Sequence, residues 1–535
     1  MSAFEGEWRA AGEDLRRARR TSLWLGGLVT VVAAAYAAAL VATEGQALLA
    51  APLVAALVVV AVLARPLIGV YLLFGGAILF EQWDIAGLAP LTTQTHFFEN
   101  LTGYSDVPLR LSLCDLLALL TCASLLLRRA VGANARLRAG PLGWGVAAYG
   151  LAFVLGTIVG VSRGGNWDAL ATLAEVRGPV YLCLLYFLTA NLVRERGQLM
   201  LLLWEFVLLV GVKALQAIGN YAEMLNGPER LEAVTAHEDV IFFDAAIALT
   251  LVMLALGLRG RLFYVALALQ PLIFAAELLT TRRVAFAALA AALAVVALVS
   301  SVERPRATRL VVGVGILAFG IYAATFWDQS GPLAEPARVL REVVDPYSIS
   351  ERDRQSNLWR DIENANIAYT VRQLPLTGVG VGQEYLFQRE PQQGPGSFTY
   401  WRLTAHNAVL WTWLKAGPYG AFAFWFLVAQ IVVFGVQLYR RLDDPLLRAA
   451  ASFPVLVTVA QVVFSSFDLG LTFNRTMIVL GTALGVAAPL TAWSALKRGV
   501  DPQKSRAVGQ DPSAGGRAPR GAPFRVGRRV PNLGG

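Results

Sequence analysis

Apolar blocks of roughly 18–22 residues recur along most of this chain and constrain its fold more than any other feature. A helix rises about 1.5 Å per residue, so a block of this length crosses the roughly 30 Å hydrocarbon core of a bilayer. Of the 535 residues, 56% are hydrophobic and 16% are charged. The pattern predicts an all-α polytopic membrane protein. It excludes a soluble enzyme, a nucleic-acid-binding protein and a disordered scaffold.

The hydropathy pattern contains fourteen candidate membrane-spanning segments. They cover residues 22–42, 47–64, 66–82, 111–127, 141–161, 178–193, 198–219, 239–258, 261–279, 284–301, 309–326, 418–438, 447–466 and 474–494. Two of them, 66–82 and 178–193, begin at Pro or Gly and are interpreted as spans or as re-entrant segments. We therefore expect twelve to fourteen transmembrane helices.

The arginines of the short loops indicate the orientation of these spans. When the N terminus is placed in the cytoplasm, most short-loop arginines also lie on the cytoplasmic side, which is the usual bias. Both termini are then cytoplasmic, and segment 22–42 is a signal anchor because it is too long for a cleavable signal. The predicted organisation is a basic N-terminal segment (1–21), an N-terminal transmembrane bundle (22–326), one large extracytoplasmic loop domain (327–417), C-terminal transmembrane helices (418–496) and a disordered basic cytoplasmic tail (497–535).

The large loop carries two local patterns. Leu358, Ile362, Ala365 and Tyr369 recur at helical spacing and predict an amphipathic helix that ends before Pro375. A glycine-rich turn over 376–382 follows, and its glycines, Gly378 and Gly380 among them, permit positive φ angles and close backbone approach. Such a turn is suited to phosphate binding, although the pattern alone is weak.

Ionisable residues inside apolar blocks are costly and mark functional sites or ion pairs. Lys213, Asp244, Glu277, Arg282 and Arg283 all fall in the outer half of the predicted bilayer, so we expect a site open to the outer leaflet. Two structural alternatives remain open: Lys213 and Asp244 form an ion pair, or the arginines reach to lipid headgroups. An outward arginine pair is suited to a diphosphate, because guanidinium groups bind phosphate oxygens bidentately.

Histidine occurs only three times in the chain. His406 lies where the large loop returns to the membrane, and its imidazole is suited to taking a proton from a sugar hydroxyl. We expect structural roles for His96 and His237. The aromatic residues that flank His406 either stack on sugars or form an interfacial belt; they are Phe398, Tyr400, Trp401, Trp411 and Trp413.

No sequence feature predicts a metal or a cofactor. The three cysteines lie in apolar blocks, and no Cys/His spacing is typical of a metal site. The basic tail is interpreted as a topology anchor, so no nucleic-acid partner is expected.

Three motifs together resemble the O-antigen ligase family, which shares a superfamily with Wzy-type polysaccharide polymerases. His406-Asn407, nine residues, and then Gly417-Pro-Tyr-Gly420 resemble the H-[NSQ]-x9-G-x-x-G motif. The Thr280–Phe286 stretch resembles the family's arginine motif, and it leaves open whether Arg282 or Arg283 corresponds. Arg354 with Leu358 and the glycine-rich turn resemble the R-x3-L and P-L-x-G-x-G loop. Where the family often has an acidic residue ahead of the motif glycine, this chain has Lys415.

The resemblance implies a GT-C-like, metal-independent membrane glycosyltransferase of the cytoplasmic membrane. Its donor is an undecaprenyl-diphosphate-linked glycan, and its acceptor is a lipid or a polysaccharide. On this hypothesis Arg282, Arg283 and Arg354 hold the diphosphate, His406 activates the acceptor hydroxyl, and Asn407 orients the histidine or the acceptor. Supporting residues are Lys213, Asp244, Glu277, Gly378, Gly380, Gly417 and Gly420.

Two other functions stay open. A Wzy-type polymerase uses the same donor with a second lipid-linked repeat as acceptor, and the sequence separates it poorly from a ligase. A lipid-linked oligosaccharide flippase explains the spans and buried charges, but it does not require a folded outer loop that ends in a histidine motif, and no internal repeat is evident.

Overall fold

The computed structural model of the protein describes residues 50–82, 97–101, 110–132, 137–226, 234–329, 331–345, 351–390 and 400–496. The predictions for segments 1–21, 22–42 and 497–535, and for His96 and Phe398, lie outside these ranges. The chain divides into two compact units, Met1–Leu137 and Arg138–Gly535.

Within the described ranges the protein is helical and contains no β-strand, which confirms the all-α prediction. The first unit contains α1 (Ala50–Ala64), α2 (Leu67–Leu79) and α3 (Leu113–Ala130). The second unit contains α4 (Gly143–Arg163), α5 (Ala169–Leu192), α6 (Arg196–Asn226), α7 (Asp239–Ala255), α8 (Arg261–Leu279), α9 (Arg283–Glu303), α10 (Pro305–Thr325), α11 (Glu335–Val344), α12 (Glu351–Gln373), α13 (Ala408–Arg441), α14 (Pro445–Ser465), α15 (Asn474–Gly485) and α16 (Ala487–Leu496).

Nine helical segments in the described part of the chain are long and apolar enough to cross a membrane. They are α4, α5, α6, α8, α9, α10, α13, α14 and the continuous run of α15 with α16. Helices α1 and α2 are apolar but shorter, and α7 has 17 residues. The protein is therefore a polytopic membrane protein, and the total of twelve to fourteen spans stays a prediction.

In the first unit, α3 begins with a capping box. The Ser112 hydroxyl accepts a hydrogen bond from the Asp115 backbone N–H at 3.1 Å, and the Asp115 carboxylate accepts one from Ser112 N at 2.8 Å. Ser124 then ties α3 to α1 by donating to the Val62 carbonyl at 2.9 Å. Asp115 is thus a helix cap, which satisfies backbone groups that the first helical turn leaves free.

In the second unit, α7 forms the centre of one group of helices and packs against α14, α9 and α8. Its residues from Asp239 to Thr250 are all buried. A second group is built from the pairs α15 with α5 and α13 with α4. Helix α10 contributes a mostly exposed apolar surface, typical of a helix in contact with lipid.

Two spans differ from the hydropathy prediction. The segment predicted over 178–193, with a re-entrant alternative, is the complete 24-residue helix α5, which starts nine residues earlier. The Asp168 carboxylate caps its first turn by accepting from Leu170 N and Ala171 N. Hydropathy misses this start because Glu175 and Arg177 interrupt the apolar run. Helix α13 also begins ten residues before the predicted 418, but a backbone break at Ala416 and Gly417 divides it into two pieces, and the second piece starts at the predicted residue.

The segment between α10 and α13 contains a 3-10 turn (Pro332–Ala334), α11 and α12. The predicted helix is confirmed as α12, which ends at Gln373, two residues before Pro375. The face it buries is different from the expected one, because Leu358 is 53% exposed whereas Glu363, Asn366 and Thr370 are buried. Two of these polar side chains hydrogen-bond to the backbone of the segment that follows the glycine-rich turn. Asn366 Oδ1, for example, accepts from the backbone N–H groups of residues 388 and 389.

Candidate active site

His406 is held against a buried carboxylate. The carboxylate of Glu363, on the buried face of α12, lies 2.9 Å (Oε2) and 3.0 Å (Oε1) from His406 Nδ1. Glu363 Oε2 also accepts from the His406 backbone N–H at 3.1 Å. The imidazole side chain is 37% exposed, whereas the Glu363 side chain is 3% exposed. Glu363 therefore fixes the Nδ1 side of the ring, and Nε2 is left to accept a proton.

The environment of His406 also changes its basicity. Burial by itself disfavours the imidazolium form, but the hydrogen bond and charge of Glu363, with the charge of Asp468, outweigh burial. The nearby guanidinium of Arg360 acts in the opposite direction. The net effect raises the pKa of His406 above its ordinary value, so the neutral ring is a stronger base than a free histidine.

Asn407 is the N-cap of α13. Its side-chain oxygen accepts a hydrogen bond from the Leu410 backbone N–H at 3.0 Å. The cap fixes where the helix starts, directly after His406. The structure thus places Asn407 as a helix cap directly beside His406.

Arg282 lies in a second charged group that contains the other described histidine. Its Nη2 makes a short hydrogen bond to His237 Nε2. His237 Nδ1 lies 3.4 Å from Asp468 Oδ2, and the His237 side chain is 45% exposed. Because Arg282 can only donate, His237 accepts through Nε2 and carries its proton on Nδ1, facing Asp468.

Asp468 links the two histidines electrostatically. Burial opposes its ionisation, but the hydrogen bond and attraction of His237, together with attraction from His406, hold the pKa of this carboxyl well below its usual range. The Asp468 carboxylate therefore lies against the His237 ring, and its charge also acts on His406. We call Arg282, His237, Asp468, Glu363 and His406 the histidine cluster.

Arg283, one residue after Arg282, contacts a different part of the molecule. It makes a short ion pair with Glu342 of α11 and donates to Asn357 Oδ1 of α12 at 3.1 Å. Its Nη2 is also 3.7 Å from Asp353. Arg283 therefore joins α9 to α11 and α12, and of the two adjacent arginines only Arg282 belongs to the histidine cluster.

A strained backbone residue precedes the two arginines. Thr281 has φ 51°, a left-handed conformation that β-branched residues rarely adopt. Strain of this kind is retained where the surrounding structure requires it, often at functional sites. Here it accompanies the divergence of Arg282 and Arg283 toward different partners.

Arg354 and Arg360 are both on α12 but have different surroundings. Arg354 pairs with Glu351 at 2.9 Å, and both side chains are more than half exposed. Arg360 donates to the Phe467 carbonyl at 3.2 Å and to Ser356 Oγ at 2.8 Å. Phe467 precedes Asp468, so Arg360 connects α12 to the histidine cluster, whereas the contacts of Arg354 remain local.

The predicted supporting charges are deeper, between helices. Lys213 Nζ is 3.8 Å from Asp239 Oδ2, so the suggested pairing of Lys213 with Asp244 is wrong. Asp239 is held in turn by Arg475 at 2.6 Å, and all of these side chains are buried. The carboxylates of Asp244 and Glu277 are also buried, and neither has a hydrogen-bond partner among the described residues.

Residues 378–382 of the glycine-rich turn are buried, so the suggestion that these glycines bind phosphate is not supported. A Cβ on Gly380 would lie 2.3 Å from Gly160 N of α4, and one on Gly378 would lie 2.2 Å from the Leu414 carbonyl of α13. Its backbone is hydrogen-bonded to both helices: Val379 N donates to Leu414 O, and Val381 N donates to Gly156 O. The glycines permit this close packing.

The glycines of the histidine motif serve the same junction. Gly417 adopts φ 64° at the break in α13, where a Cβ would lie 2.6 Å from the Leu376 carbonyl. A Cβ on Gly420 would lie 2.4 Å from the Thr412 carbonyl. The motif therefore produces a break in the helix, against which the glycine-rich turn packs.

Lys415 anchors this junction through a buried ion pair. Its Nζ is 2.9 Å from Glu175 Oε1 of α5 and donates to the Gln383 carbonyl at 2.7 Å. Glu175 also accepts from Gly382 N at 2.7 Å and from Trp411 Nε1 at 3.2 Å. A positive residue at this position is therefore matched by a negative one on α5.

Sequence reasoning missed four members of the site: Glu363, His237, Asp468 and Arg360. His237 was detectable, because the chain has only three histidines, but it was interpreted as structural. Glu363 gave no signal, because one carboxylate on a highly charged helix resembles a solvent-exposed residue. Among the described residues no group of three His, Cys, Asp or Glu side chains is arranged to hold a metal ion.

Comparison with known families supports a relationship for the central part of the chain. Residues 239–425 match the sequence model of the Wzy_C family, O-antigen ligase. The match runs from α7 to the middle of α13 and includes Arg282, Glu363 and His406, whereas His237 and Asp468 lie outside it. No curated protein matches the chain.

Proposed function

We propose that the protein transfers a glycan from an undecaprenyl-diphosphate donor to a lipid or polysaccharide acceptor, because residues 239–425 match the sequence model of the O-antigen ligase family. The observation that carries the proposal is the half-exposed His406 held against the buried Glu363. The reaction takes place at the outer face of the cytoplasmic membrane, with both termini in the cytoplasm. The GT-C-like class is part of the same proposal.

His406 is the general base of the proposed reaction. Nε2 takes the proton of an acceptor hydroxyl as the acceptor oxygen attacks the anomeric carbon of the donor. The new glycosidic bond forms on one side of that carbon while the bond to the diphosphate oxygen breaks on the other, so the configuration inverts. Glu363 stabilises the imidazolium that results, and undecaprenyl diphosphate leaves with the bonding electron pair.

Arginines neutralise the charge that develops on the leaving diphosphate, without a metal ion. Arg282 is the first candidate, because its guanidinium is hydrogen-bonded to His237, whose other ring nitrogen faces Asp468. Arg360 is the second, because its charge acts on His406. Arg354 remains a candidate through its motif. Arg283 is a positioning residue that holds α9 beside α12.

The other predicted residues support this site indirectly. Lys213 belongs to the buried charge pairs beneath it, and the carboxylates of Asp244 and Glu277 line the adjacent helices α7 and α8. Gly378, Gly380, Gly417 and Gly420 allow the turn and the helix break to pack closely, which holds the start of α13. Their role is to position His406, and none of them contacts the substrate in this proposal.

A transfer assay tests the proposal. The purified protein in nanodiscs receives an undecaprenyl-diphosphate oligosaccharide, with and without a candidate lipid acceptor, in the presence of EDTA. One discrete acceptor-dependent product is expected. A ladder of lipid-linked multimers from donor alone indicates the polymerase alternative, and movement of donor across the bilayer without a new glycosidic bond indicates a flippase. Loss of transfer with EDTA contradicts the metal-independent mechanism.

The decisive variant is His406→Gln, which keeps the size of the side chain and removes the base. Transfer is expected to fall roughly a thousandfold while the unfolding temperature in detergent stays unchanged. The matched control is Trp144→Ala, since Trp144 is 83% exposed and lies at the start of α4. Near-normal transfer by His406→Gln contradicts the assignment of His406 as the general base.

A further inference from the structure

An aromatic surface lies beside the pair of His406 and Glu363. It consists of Trp359, Phe387, Trp401 and Arg402, and we call it the aromatic shelf. The ring centroids of Trp401 and Phe387 are 5.4 Å apart, and those of Trp401 and Trp359 are 6.4 Å apart. All four side chains are partly exposed. Three separate segments of the chain therefore meet to present aromatic rings at the surface.

The shelf shares its supports with the catalytic pair. Trp359 precedes Glu363 by one turn of α12, and Trp401 belongs to the turn that leads into His406. Behind the rings, Phe387 packs on a buried cluster that includes Tyr385 and Ala405, the residue before His406. The Tyr385 hydroxyl donates to the Trp401 carbonyl at 3.4 Å. The shelf is thus fixed relative to the proposed base.

Charged groups border the aromatic rings. The Arg402 guanidinium lies 4.8 Å from the Trp401 ring centre and 5.6 Å from that of Phe387. It is also 3.6 Å from Glu384 Oε2 and 3.6 Å from Glu390 Oε1, and its side chain is 41% exposed. Aromatic faces are therefore combined at one surface with hydrogen-bond donors and acceptors.

We propose that the aromatic shelf binds a sugar ring of the transferred glycan. A sugar has an apolar C–H face that stacks on an aromatic ring and hydroxyls that hydrogen-bond to guanidinium and carboxylate groups at its edge. A lipid chain makes only the apolar contact, whereas the hydroxyls of a sugar also hydrogen-bond to the partly exposed Arg402, Glu384 and Glu390 at the edge of the rings.

The position of Arg360 supports the proposal that the sugar bound by the shelf belongs to the transferred glycan. This arginine, proposed to bind the diphosphate, directly follows Trp359 on α12. A sugar attached to that diphosphate therefore begins near the shelf. This step rests on the proposed function, whereas the sugar-binding property of the shelf does not require transfer.

Saturation-transfer difference NMR on the full-length protein in nanodiscs tests the binding. The probe is the repeat-unit oligosaccharide released by mild acid from the undecaprenyl-linked glycan of the source cells. Wild type and the control variant Trp144→Ala are expected to give equal signals. Trp401→Ala is expected to bind roughly tenfold more weakly.

Conservative variants separate loss of stacking from loss of folding. Trp401→Tyr keeps an aromatic face and is expected to restore most of the binding. Arg402→Gln removes the charge from an exposed position and is expected to weaken binding severalfold. Trp144→Ala serves as the control at a distant exposed tryptophan, and each variant is checked by its unfolding temperature.

The possible outcomes separate the shelf from the proposed function. Undiminished oligosaccharide binding by folded Trp401→Ala and Arg402→Gln contradicts the proposal that the shelf binds a sugar. Transfer by wild type without any detectable oligosaccharide binding also overturns it and leaves the proposed function standing. Binding that depends on Trp401 in a protein that transfers no glycan overturns the proposed function and leaves the shelf standing.

Discussion

Two groups of charged residues in the second unit differ in how completely their partners enclose them. In the histidine cluster, His406 and His237 are 37% and 45% exposed, and each contacts a buried carboxylate on one side. Between the helices, Lys415 with Glu175 and Arg475 with Asp239 are fully buried pairs. A group with one face free can exchange protons or bind a ligand, whereas an enclosed pair contributes to helix packing.

The largest effect is expected from breaking an enclosed pair. Lys415→Met leaves Glu175 as an unpaired buried charge, which should lower the free energy of unfolding by about 3–5 kcal/mol. Chemical denaturation in detergent measures this change. The double variant Lys415→Met with Glu175→Gln removes both charges and should recover part of the loss. Equal stability of the single variant and wild type contradicts the structural role of the pair.

The next effect concerns the carboxylate behind the proposed base. Glu363→Gln keeps a hydrogen-bond acceptor for His406 but removes the charge, so transfer should fall about a hundredfold. Because Glu363 raises the pKa of His406 and burial lowers it, the variant should reach its maximal kcat/KM at lower pH than wild type. In wild type, kcat/KM should increase with pH through a value above the ordinary histidine pKa, about 6.5.

The pH profile of Glu363→Gln distinguishes a positioning residue from a merely structural one. A variant that is only partly folded loses activity by the same factor at every pH. A profile with an unchanged midpoint therefore contradicts the electrostatic role assigned to Glu363.

The two adjacent arginines provide a matched pair of variants. Arg282→Gln removes a proposed diphosphate ligand and should lower kcat/KM for the donor by about ten- to a hundredfold with little change in stability. Arg283→Gln should instead lower the unfolding temperature, because it releases Glu342 and Asn357 from α9. Steady-state kinetics beside thermal unfolding measures both. If Arg283→Gln lowers kcat/KM and Arg282→Gln lowers the unfolding temperature, then Arg283 is the diphosphate ligand and Arg282 is the positioning residue.

The smallest effect is expected at His237. His237→Ala removes the acceptor that holds Arg282 and should raise the donor KM about fivefold while kcat changes little. Asp468→Asn should act in the same direction if His237 depends on it. Donor titrations measure the effect, and a fall in kcat without a change in KM indicates that His237 itself takes part in the chemistry.

Local patterns in the sequence were sufficient to predict the fold class and to identify the histidine motif. The apolar blocks predicted helical spans, and the helical spacing around Ile362 predicted α12. The same spacing chose the wrong buried face, because the protein buries Glu363, Asn366 and Thr370 to hydrogen-bond neighbouring backbone. Hydropathy also started α5 too late, since a buried ion pair makes Glu175 acceptable inside a helix.

Local sequence patterns are enough to identify an all-α polytopic membrane protein with arginine and histidine motifs, because helical burial follows from residues three and four positions apart. The partner of each charge is known only from the folded structure. His406 meets Glu363 from 43 residues earlier, and Arg282 meets His237 from 45 residues earlier. Such pairings depend on how helices pack in three dimensions, and that packing also separates Arg282 from Arg283, which no spacing rule distinguishes.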